Sequence, residues 1–125
     1  MVDIIDNYCE SFSPILGIQP KILILGTMPS RKSLEMQEYY SHPRNVFWKI
    51  IFHLLEVTEK NAYSDKIELV KEKQIALWDV CYSCIRKGSL DSNIKDETPN
   101  QITDLLQKHP SIEIVIFNGQ KAREK

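Results

Sequence analysis

The stretch richest in side chains that could do chemistry is residues 37–48. It contains two tyrosines, a histidine, an arginine, an asparagine and two further aromatic residues, namely Tyr39, Tyr40, His42, Arg44, Asn45, Phe47 and Trp48. A flat aromatic heterocycle such as a nucleobase needs this set, because a ring offers a stacking surface and amide or hydroxyl groups satisfy the polar edge. Stacking a base on an aromatic ring contributes roughly 1–3 kcal/mol. We interpret Tyr40 and Asn45 as candidate ligands, with a plain structural role as the alternative, and assign Phe47 and Trp48 to a helix core.

A second candidate site follows the first apolar run, at residues 26–33. Gly26 removes side-chain bulk from the turn, and either Ser30 or Ser33 can cap a short helix. Backbone amides and hydroxyls beside Arg31 and Lys32 could hold a phosphate, although a turn with two solvated basic residues has the same composition. The turn has neither the glycine and lysine spacing of a P-loop nor that of a dinucleotide-binding loop.

Three short apolar runs predict the strands that must position these residues. The runs are residues 21–26, 74–80 and 113–119. They are rich in branched or aromatic side chains, which is typical of strands buried on both faces in a parallel sheet. Because ligands bind at the carboxyl ends of parallel strands, we expect the site among residues 26–45, 79–97 and 117–121.

Helical patterns lie between the strands. Asn45 is the predicted N-cap of a helix over residues 46–55, whose apolar side chains recur at spacings of three and four. Its predicted inward face consists of Phe47, Ile50, Ile51, Leu54 and Leu55. A capping-box pattern at Asp65 predicts the start of a second helix that ends near residue 73.

The third helix has Thr98 as its predicted N-cap and ends before Pro110, because the residue before a proline disfavours helical geometry. This order of elements predicts an α/β fold, with three α/β/α layers around a short parallel sheet. Residues 79–97 are expected to form a long loop.

The composition fits one domain spanning residues 1–125. The chain has 16 Lys and Arg residues against 17 Asp and Glu residues, and 42% of it is hydrophobic. This balance excludes disordered, collagen-like and coiled-coil classes. A net charge of −1 provides no general attraction for nucleic acid, so DNA-binding cations must be local.

The cysteines and the hydropathy pattern bear on localisation. No apolar run approaches the roughly 20 residues of a membrane-spanning helix, so we expect no membrane partner. An odd number of cysteines (Cys9, Cys81 and Cys84) favours reduced thiols in a cytoplasmic protein, near the nucleoid if the cell is bacterial. Cys81 and Cys84 lack the second ligand pair of a structural zinc site, and we expect neither a metal nor another cofactor.

Several motifs in register resemble a known family. The first signature of this family matches residues 26–30, 33–34, 37, 39–40, 42–43, 45 and 47–48. Further matches follow in the same order and spacing at residues 77–81, 83–84, 88–92, 94, 96–97, 117–119 and 121–122. The set resembles the uracil-DNA glycosylase superfamily, most closely its hypoxanthine-DNA glycosylase (deoxyinosine glycosylase) branch.

The resemblance implies a monofunctional enzyme that flips a deaminated base, hypoxanthine or uracil, out of double-stranded DNA. Water then hydrolyses the N-glycosidic bond, without a cofactor. In the related mismatch-specific enzymes an asparagine after the first strand orients this water, but Met28 occupies that position here. A thioether cannot orient water, so we expect Asn45 to be the catalytic residue. Tyr40 matches the aromatic residue on which the flipped base stacks.

The remaining candidate residues have supporting roles. Base contacts are expected from Thr27, Met28, Ser30, His42 and Asn118, and contacts to the DNA backbone from Arg31, Lys32, Arg44, Ser89, Ser92 and Lys121. Turn or surface roles remain the alternative for His42, Asn118, Lys121 and the loop residues Ser89 and Ser92.

Members of this branch normally continue with another helix, a fourth strand and a second signature loop. Because the sequence stops at Lys125, we expect the sheet to lack its last strand and the third strand to form an apolar edge, which invites a homodimer. Three functions stay open beside hypoxanthine removal: a G:U/T mismatch-specific uracil glycosylase, a catalytically impaired DNA-binding homologue, and a small nucleotide-binding protein.

Overall fold

The computed structural model describes residues 7–119 of the chain. In chain order the elements are β1 (Tyr8–Glu10), β2 (Ile22–Gly26), α1 (Arg31–Met36), α2 (Phe47–Leu55), α3 (Tyr63–Glu72), β3 (Ile75–Asp79), β4 (Cys81–Ile85), a 3₁₀ turn (Asp91–Asn93), β5 (Lys95–Pro99), α4 (Ile102–Lys108) and β6 (Ile114–Phe117). None of the helices in this range is long and apolar enough to cross a membrane.

The three predicted strands form a parallel sheet in the order β3-β2-β6. Their register places Gly26 beside Asp79 and Leu25 beside Phe117, so the carboxyl ends of the strands meet at one edge. Because parallel strands in a layered fold are buried on both faces, they carry continuous apolar runs. The prediction of these strands is confirmed.

Helices cover both faces of this sheet. Leu23 and Leu25 point into a core that includes Leu105 of α4, whereas Ile24 and Leu77 belong to a second core with residues of α2 and α3. Successive residues of a strand point to opposite faces, which explains why neighbours in β2 join different cores. The three-layer α/β/α architecture is confirmed.

A second, antiparallel sheet in the order β1-β4-β5 corrects the prediction of a long loop. Residues 79–97 instead contain β4, the 3₁₀ turn and the start of β5. Every residue of β5 is exposed and most are polar, so the segment has no apolar alternation. Its strand geometry comes from pairing with β4.

Two predicted helix starts are wrong. The second helix, α3, begins at Tyr63, which places Asp65 in its first turn and not at its cap. The third, α4, begins at Ile102, and Thr98 lies in β5 because pairing with β4 extends to Pro99. Its end before Pro110 is confirmed.

Helix α2 begins at Phe47 with Val46 at its N-cap, one residue later than predicted, and it is rotated relative to the expected face. The predicted cap residue, Asn45, precedes the N-cap position, but its Oδ1 atom accepts a hydrogen bond of 2.8 Å from the backbone N–H of Phe47. Phe47 and Trp48 are buried, as predicted, whereas Ile50 and Leu54 are 51% and 70% exposed. Part of the expected inward face therefore points outward.

Candidate active site

A cavity of about 200 Å³ opens at the carboxyl edge of the parallel sheet. Its lining includes seven of the predicted site residues: Thr27, Met28, Ser30, Tyr40, Asn45, Ser89 and Asn118. The other lining residues are Gly26, Pro29, Ser33, Tyr39, Asp79 and Asp91. The strand ends and the turns after them therefore converge where the sequence predicted a ligand.

Tyr40 is held beside this cavity by a strained backbone and an aromatic stack. Its φ of 55° lies in the left-handed region, which is uncommon for an aromatic residue and costs on the order of 1–3 kcal/mol. The ring stacks on Phe47, with centroids 3.7 Å apart and planes 19° from parallel. Because Phe47 covers one face, a base can stack only on the opposite face.

The hydroxyl group of Tyr40 is buried and makes no hydrogen bond within the described residues. Burial raises the pKa of this hydroxyl well above its ordinary value, and the Asp79 carboxylate adds to the rise, while Asn118 partly offsets it. The hydroxyl is therefore neutral and can donate to a polar ligand.

Asn45 reaches the same cavity from the start of α2. The cap on Phe47 occupies one lone pair of its Oδ1 atom, which leaves a second lone pair on that oxygen. The capping hydrogen bond also fixes the direction of the amide plane. Asn45 is exposed, so its carboxamide is accessible to water and substrate.

Backbone hydrogen bonds fix the turn after β2. The carbonyl oxygens of Gly26 and Thr27 accept from the N–H groups of Val80 (2.9 Å) and Cys81 (3.1 Å). Thr27 Oγ1 is buried without a hydrogen-bond partner among the described residues. Met28 packs in the core on the α4 face of the sheet.

Ser30 is the residue that caps α1, one of the two alternatives that the sequence left open. Its Oγ atom accepts a hydrogen bond of 3.1 Å from the N–H of Ser33. The backbone N–H of Arg31, the residue after Ser30, donates a hydrogen bond of 2.9 Å to Ser89 Oγ. The contact between Arg31 and Ser89 joins the start of α1 to the loop after β4.

Two residues absent from the predicted site have unusual environments in it. Asp79 is 3% exposed, and its Oδ2 atom has no hydrogen-bond partner in the described part of the chain. Burial, with a smaller contribution from Asp91, raises the pKa of Asp79 to about 7, although Arg86 acts in the opposite direction. The signal for Asp79 was an acidic residue at the carboxyl end of a buried strand.

Arg86, the second of these residues, is fully buried. Its Nη2 atom donates to the carbonyl oxygen of Pro29, whereas Nε and Nη1 make no hydrogen bond with the described residues. This hydrogen bond from the buried guanidinium therefore holds the turn after β2 in place. No pattern in the sequence separated it from the solvated basic residues nearby.

The predicted DNA-binding cations differ in their surroundings. Arg31 Nη2 donates to Asn7 Oδ1 (3.2 Å) and to the carbonyl oxygen of Arg86 (2.9 Å), so its guanidinium is tied to the fold. Lys32 and Arg44 are exposed.

Two further predicted residues, His42 and Ser92, lie outside the lining of the cavity. His42 Nδ1 accepts a hydrogen bond of 3.1 Å from the N–H of Arg44, which stabilises a local turn. Ser92 is exposed on the 3₁₀ turn. Lys121 lies outside the described residues.

A family profile defines the class of protein. The profile of the uracil DNA glycosylase superfamily matches residues 14–125. The chain therefore belongs to this superfamily, as its motifs predicted.

Individual relatives place the chain more narrowly. It is 40% identical over 116 residues to a hypoxanthine DNA glycosylase of Methanosarcina acetivorans and 36% identical to one of Methanosarcina barkeri, covering 92% of this chain and 73% of each relative. The solution NMR structure of a candidate uracil DNA glycosylase from Methanosarcina acetivorans superimposes with a TM-score of 0.84 at 37% identity, covering 94% of this chain and 73% of that one. The predicted hypoxanthine branch and fold are confirmed.

Proposed function

We propose that this chain is a monofunctional DNA glycosylase that hydrolyses the bond between deoxyribose and hypoxanthine in double-stranded DNA. The names of its hypoxanthine DNA glycosylase relatives support the choice of base. The observation that carries the proposal is the convergence of Tyr40 and Asn45 on one cavity at the carboxyl edge of the parallel sheet.

In this reaction the flipped base stacks on the face of the Tyr40 ring opposite Phe47. The buried hydroxyl groups of Thr27 and Tyr40 have no hydrogen-bond partner among residues 7–119, so they can hydrogen bond to the polar edge of the base. Asn45 orients a water molecule toward C1′ of the sugar. Because the fold already holds these donors in position, their hydrogen bonds stabilise the charge that develops on the base as the glycosidic bond breaks.

Met28 favours hypoxanthine over uracil as the substrate. Its side chain packs in the core, and a thioether cannot take the water-orienting role that the family resemblance assigns to an asparagine at this position. The enzyme therefore depends on Asn45 for that role. Contacts from Ser30, His42 and Asn118 to the base or the adjacent backbone complete the proposed site.

We assign DNA backbone contacts to local cations and polar groups, since the net charge of the chain is only −1. Lys32 and Arg44 are exposed and free to approach phosphates. Arg31, Ser89, Ser92 and Lys121 are the other proposed contacts.

The test is single-turnover release of hypoxanthine from an inosine-containing duplex by wild type, Asn45→Ala and Asn61→Ala. Asn61 is an exposed asparagine before α3 and serves as the matched control. We expect Asn45→Ala to slow release by about 100-fold or more, while Asn61→Ala matches wild type. Equal rates for wild type and Asn45→Ala would remove Asn45 from its role.

Other outcomes point to the competing functions. Faster release of uracil or thymine than of hypoxanthine would make the chain a mismatch glycosylase. Retention of inosine-containing DNA without base release would make it a DNA-binding homologue without activity. Competition by free nucleotide, but not by DNA, would make it a nucleotide-binding protein.

We also propose that two copies associate through the outer edge of β6. Within residues 7–119 this strand pairs with β2 alone, and Ile114, Ile116 and Phe117 are 51%, 46% and 43% exposed. Unpaired apolar edges favour association. Sedimentation equilibrium of wild type and Ile116→Lys tests this, and a monomeric wild type would contradict it.

A cytoplasmic location completes the proposal. Cys9, Cys81 and Cys84 are all buried, and an odd number of cysteines suits a reducing compartment. Fractionation of cells that make the protein would test it.

A further inference from the structure

The cavity contains a carboxyl group that the proposed function leaves without a role. Asp79 ends β3, is 3% exposed and has an Oδ2 atom without a hydrogen-bond partner among residues 7–119. Burying a polar atom without a partner destabilises a fold. Its presence beside a ligand cavity therefore favours a function for this carboxyl group.

The carboxyl group of Asp79 faces the residues that bind the base. A Cβ atom built on Gly26 would lie 2.5 Å from Asp79 Oδ1 and 3.3 Å from the hydroxyl oxygen of Tyr40. Both groups thus converge on a residue without a side chain. Asn45 lines the same cavity.

The backbone of Asp79 is held firmly in place. Asn100 Nδ2 donates to the carbonyl oxygens of Asp79 (2.7 Å) and Cys81 (3.0 Å). The N–H group of the next residue, Val80, donates to the carbonyl oxygen of Gly26. A catalytic group needs this kind of support, because small displacements of a reacting atom cost large factors in rate.

The groups around Asp79 favour a carboxyl that holds a proton near neutral pH. Burial has the largest effect and the negative charge of Asp91 adds to it, whereas the guanidinium of Arg86 opposes them, with a resulting pKa of about 7. Tyr39 and Tyr40 also face this carboxyl, and burial raises the pKa of both hydroxyls, so they remain neutral. Near pH 7, protonated and ionised Asp79 therefore coexist.

We propose, on the basis of the function proposed above, that Asp79 is the catalytic acid that protonates the departing hypoxanthine at N7. As the C1′–N9 bond breaks, its electron pair passes to the base. The carboxyl proton of Asp79 moves to N7, so the base leaves neutral. Water forms the new C1′–O bond, and the proton that it loses returns to the Asp79 carboxylate. The step needs no further reactant.

This role makes the acid specific to purines. Hypoxanthine has an unprotonated ring nitrogen at N7 that can accept the proton. The ring nitrogens of a uracil nucleoside either carry hydrogen or form the glycosidic bond. Asp79 should therefore accelerate the release of hypoxanthine much more than the release of uracil.

The experiment compares base release by wild type, Asp79→Asn and Asp104→Asn under single-turnover conditions across pH. Asparagine keeps the shape of Asp79 and can donate a hydrogen bond, but it cannot transfer a proton. Asp104 is an exposed acid on α4, paired with Lys108 at 3.0 Å, and is the matched control. The substrates are duplexes that contain either deoxyinosine or 7-deaza-2′-deoxyinosine, which lacks N7.

We expect Asp79→Asn to release hypoxanthine about 100-fold or more slowly than wild type, with Asp104→Asn unchanged. The wild-type rate should fall above about pH 7 because the acid loses its proton. This fall in rate should be absent when Asp79→Asn acts on the deoxyinosine duplex, and also when wild type acts on the 7-deaza duplex. Wild type and Asp79→Asn should release base from the 7-deaza duplex at equal rates.

Asp79→Asn within about threefold of wild type would overturn the inference while leaving the glycosylase function in place. The inference is likewise overturned if Asp79→Asn slows base release from both duplexes by the same factor. No base release by wild type from either duplex would overturn the proposed function and this inference with it. If Asp79→Asn does not fold, the wild-type pH profiles on the two duplexes decide, and identical profiles reject the role.

Discussion

The ring of Tyr40 lies nearly parallel to the ring of Phe47, with centroids 3.7 Å apart. Phe47 is also the residue whose backbone N–H is capped by Asn45. The first turn of α2 therefore positions both the proposed stacking ring and the proposed catalytic amide. Both contact the same residue, Phe47, which suits a reaction that requires the base and the attacking water in a fixed relation.

The stacking role of Tyr40 predicts a difference between two substitutions. Tyr40→Ala should weaken binding to a duplex with a non-hydrolysable inosine analogue by roughly 1–3 kcal/mol, because the stacking surface is lost. Tyr40→Phe keeps the ring and should retain most of the affinity. Fluorescence anisotropy titrations measure both. Unchanged affinity for Tyr40→Ala would exclude stacking on this ring.

The buried carboxyl of Asp79 predicts that stability falls as pH rises. Its pKa is 3.8 when unperturbed and about 7 in the folded chain. Between these values the folded state binds more protons than the unfolded state, so this group lowers the free energy of unfolding by up to about 1.4 kcal/mol per pH unit. The contribution is fully present below about pH 4 and lost above about pH 7.

Urea unfolding of wild type and Asp79→Asn at several pH values tests this linkage. The stability of the variant relative to wild type should increase from pH 4 to pH 7 and then level off. A constant difference would show that Asp79 has an ordinary pKa in the folded protein.

The close approach of Asp79 to Gly26 predicts that a methyl group cannot be added at position 26. The new Cβ atom would lie 2.5 Å from Asp79 Oδ1, and we expect Gly26→Ala to destabilise the fold by about 1–3 kcal/mol. Combining Gly26→Ala with Asp79→Ala removes the colliding carboxyl and should recover most of that loss. Strictly additive effects in this double-mutant cycle would contradict the contact.

Arg31 and Arg44 should respond differently to substitution by alanine. Arg31 Nη2 is bonded to Asn7 and Arg86, so Arg31→Ala should lower stability by about 1–3 kcal/mol. Arg44 is exposed, so Arg44→Ala should leave stability unchanged and reduce the salt dependence of DNA binding by about one phosphate contact. Thermal unfolding and salt titrations measure these effects. An unchanged salt slope for Arg44→Ala would remove it from the DNA contacts.

The strands show which parts of a fold a linear pattern can predict. Strands β2, β3 and β6 are apolar because both faces are covered, and that burial is visible as continuous runs. The polar strand β5 is exposed along its whole length. Its conformation depends on hydrogen bonds to β4, and such pairing leaves no periodic mark on the segment itself.

The helix starts show the same division. Asn45 accepts a hydrogen bond from the first N–H group of α2, two residues away, which depends only on local geometry. The predicted cap at Thr98 also satisfied local preferences, but residues 95–99 pair with β4. Tertiary hydrogen bonds outweighed the local signal there.

By itself, the sequence determined the parallel sheet, the edge at which the candidate site lies, the family, and the pairing of Tyr40 with Asn45 around a cavity. These depend on the order of apolar runs and on residues close together along the chain. Only the tertiary structure decided that Asp79 is desolvated against Gly26 and that Arg86 lies buried beneath the turn after β2. The pKa of a carboxyl depends on the atoms that surround it in space, and most of those atoms come from distant parts of the sequence.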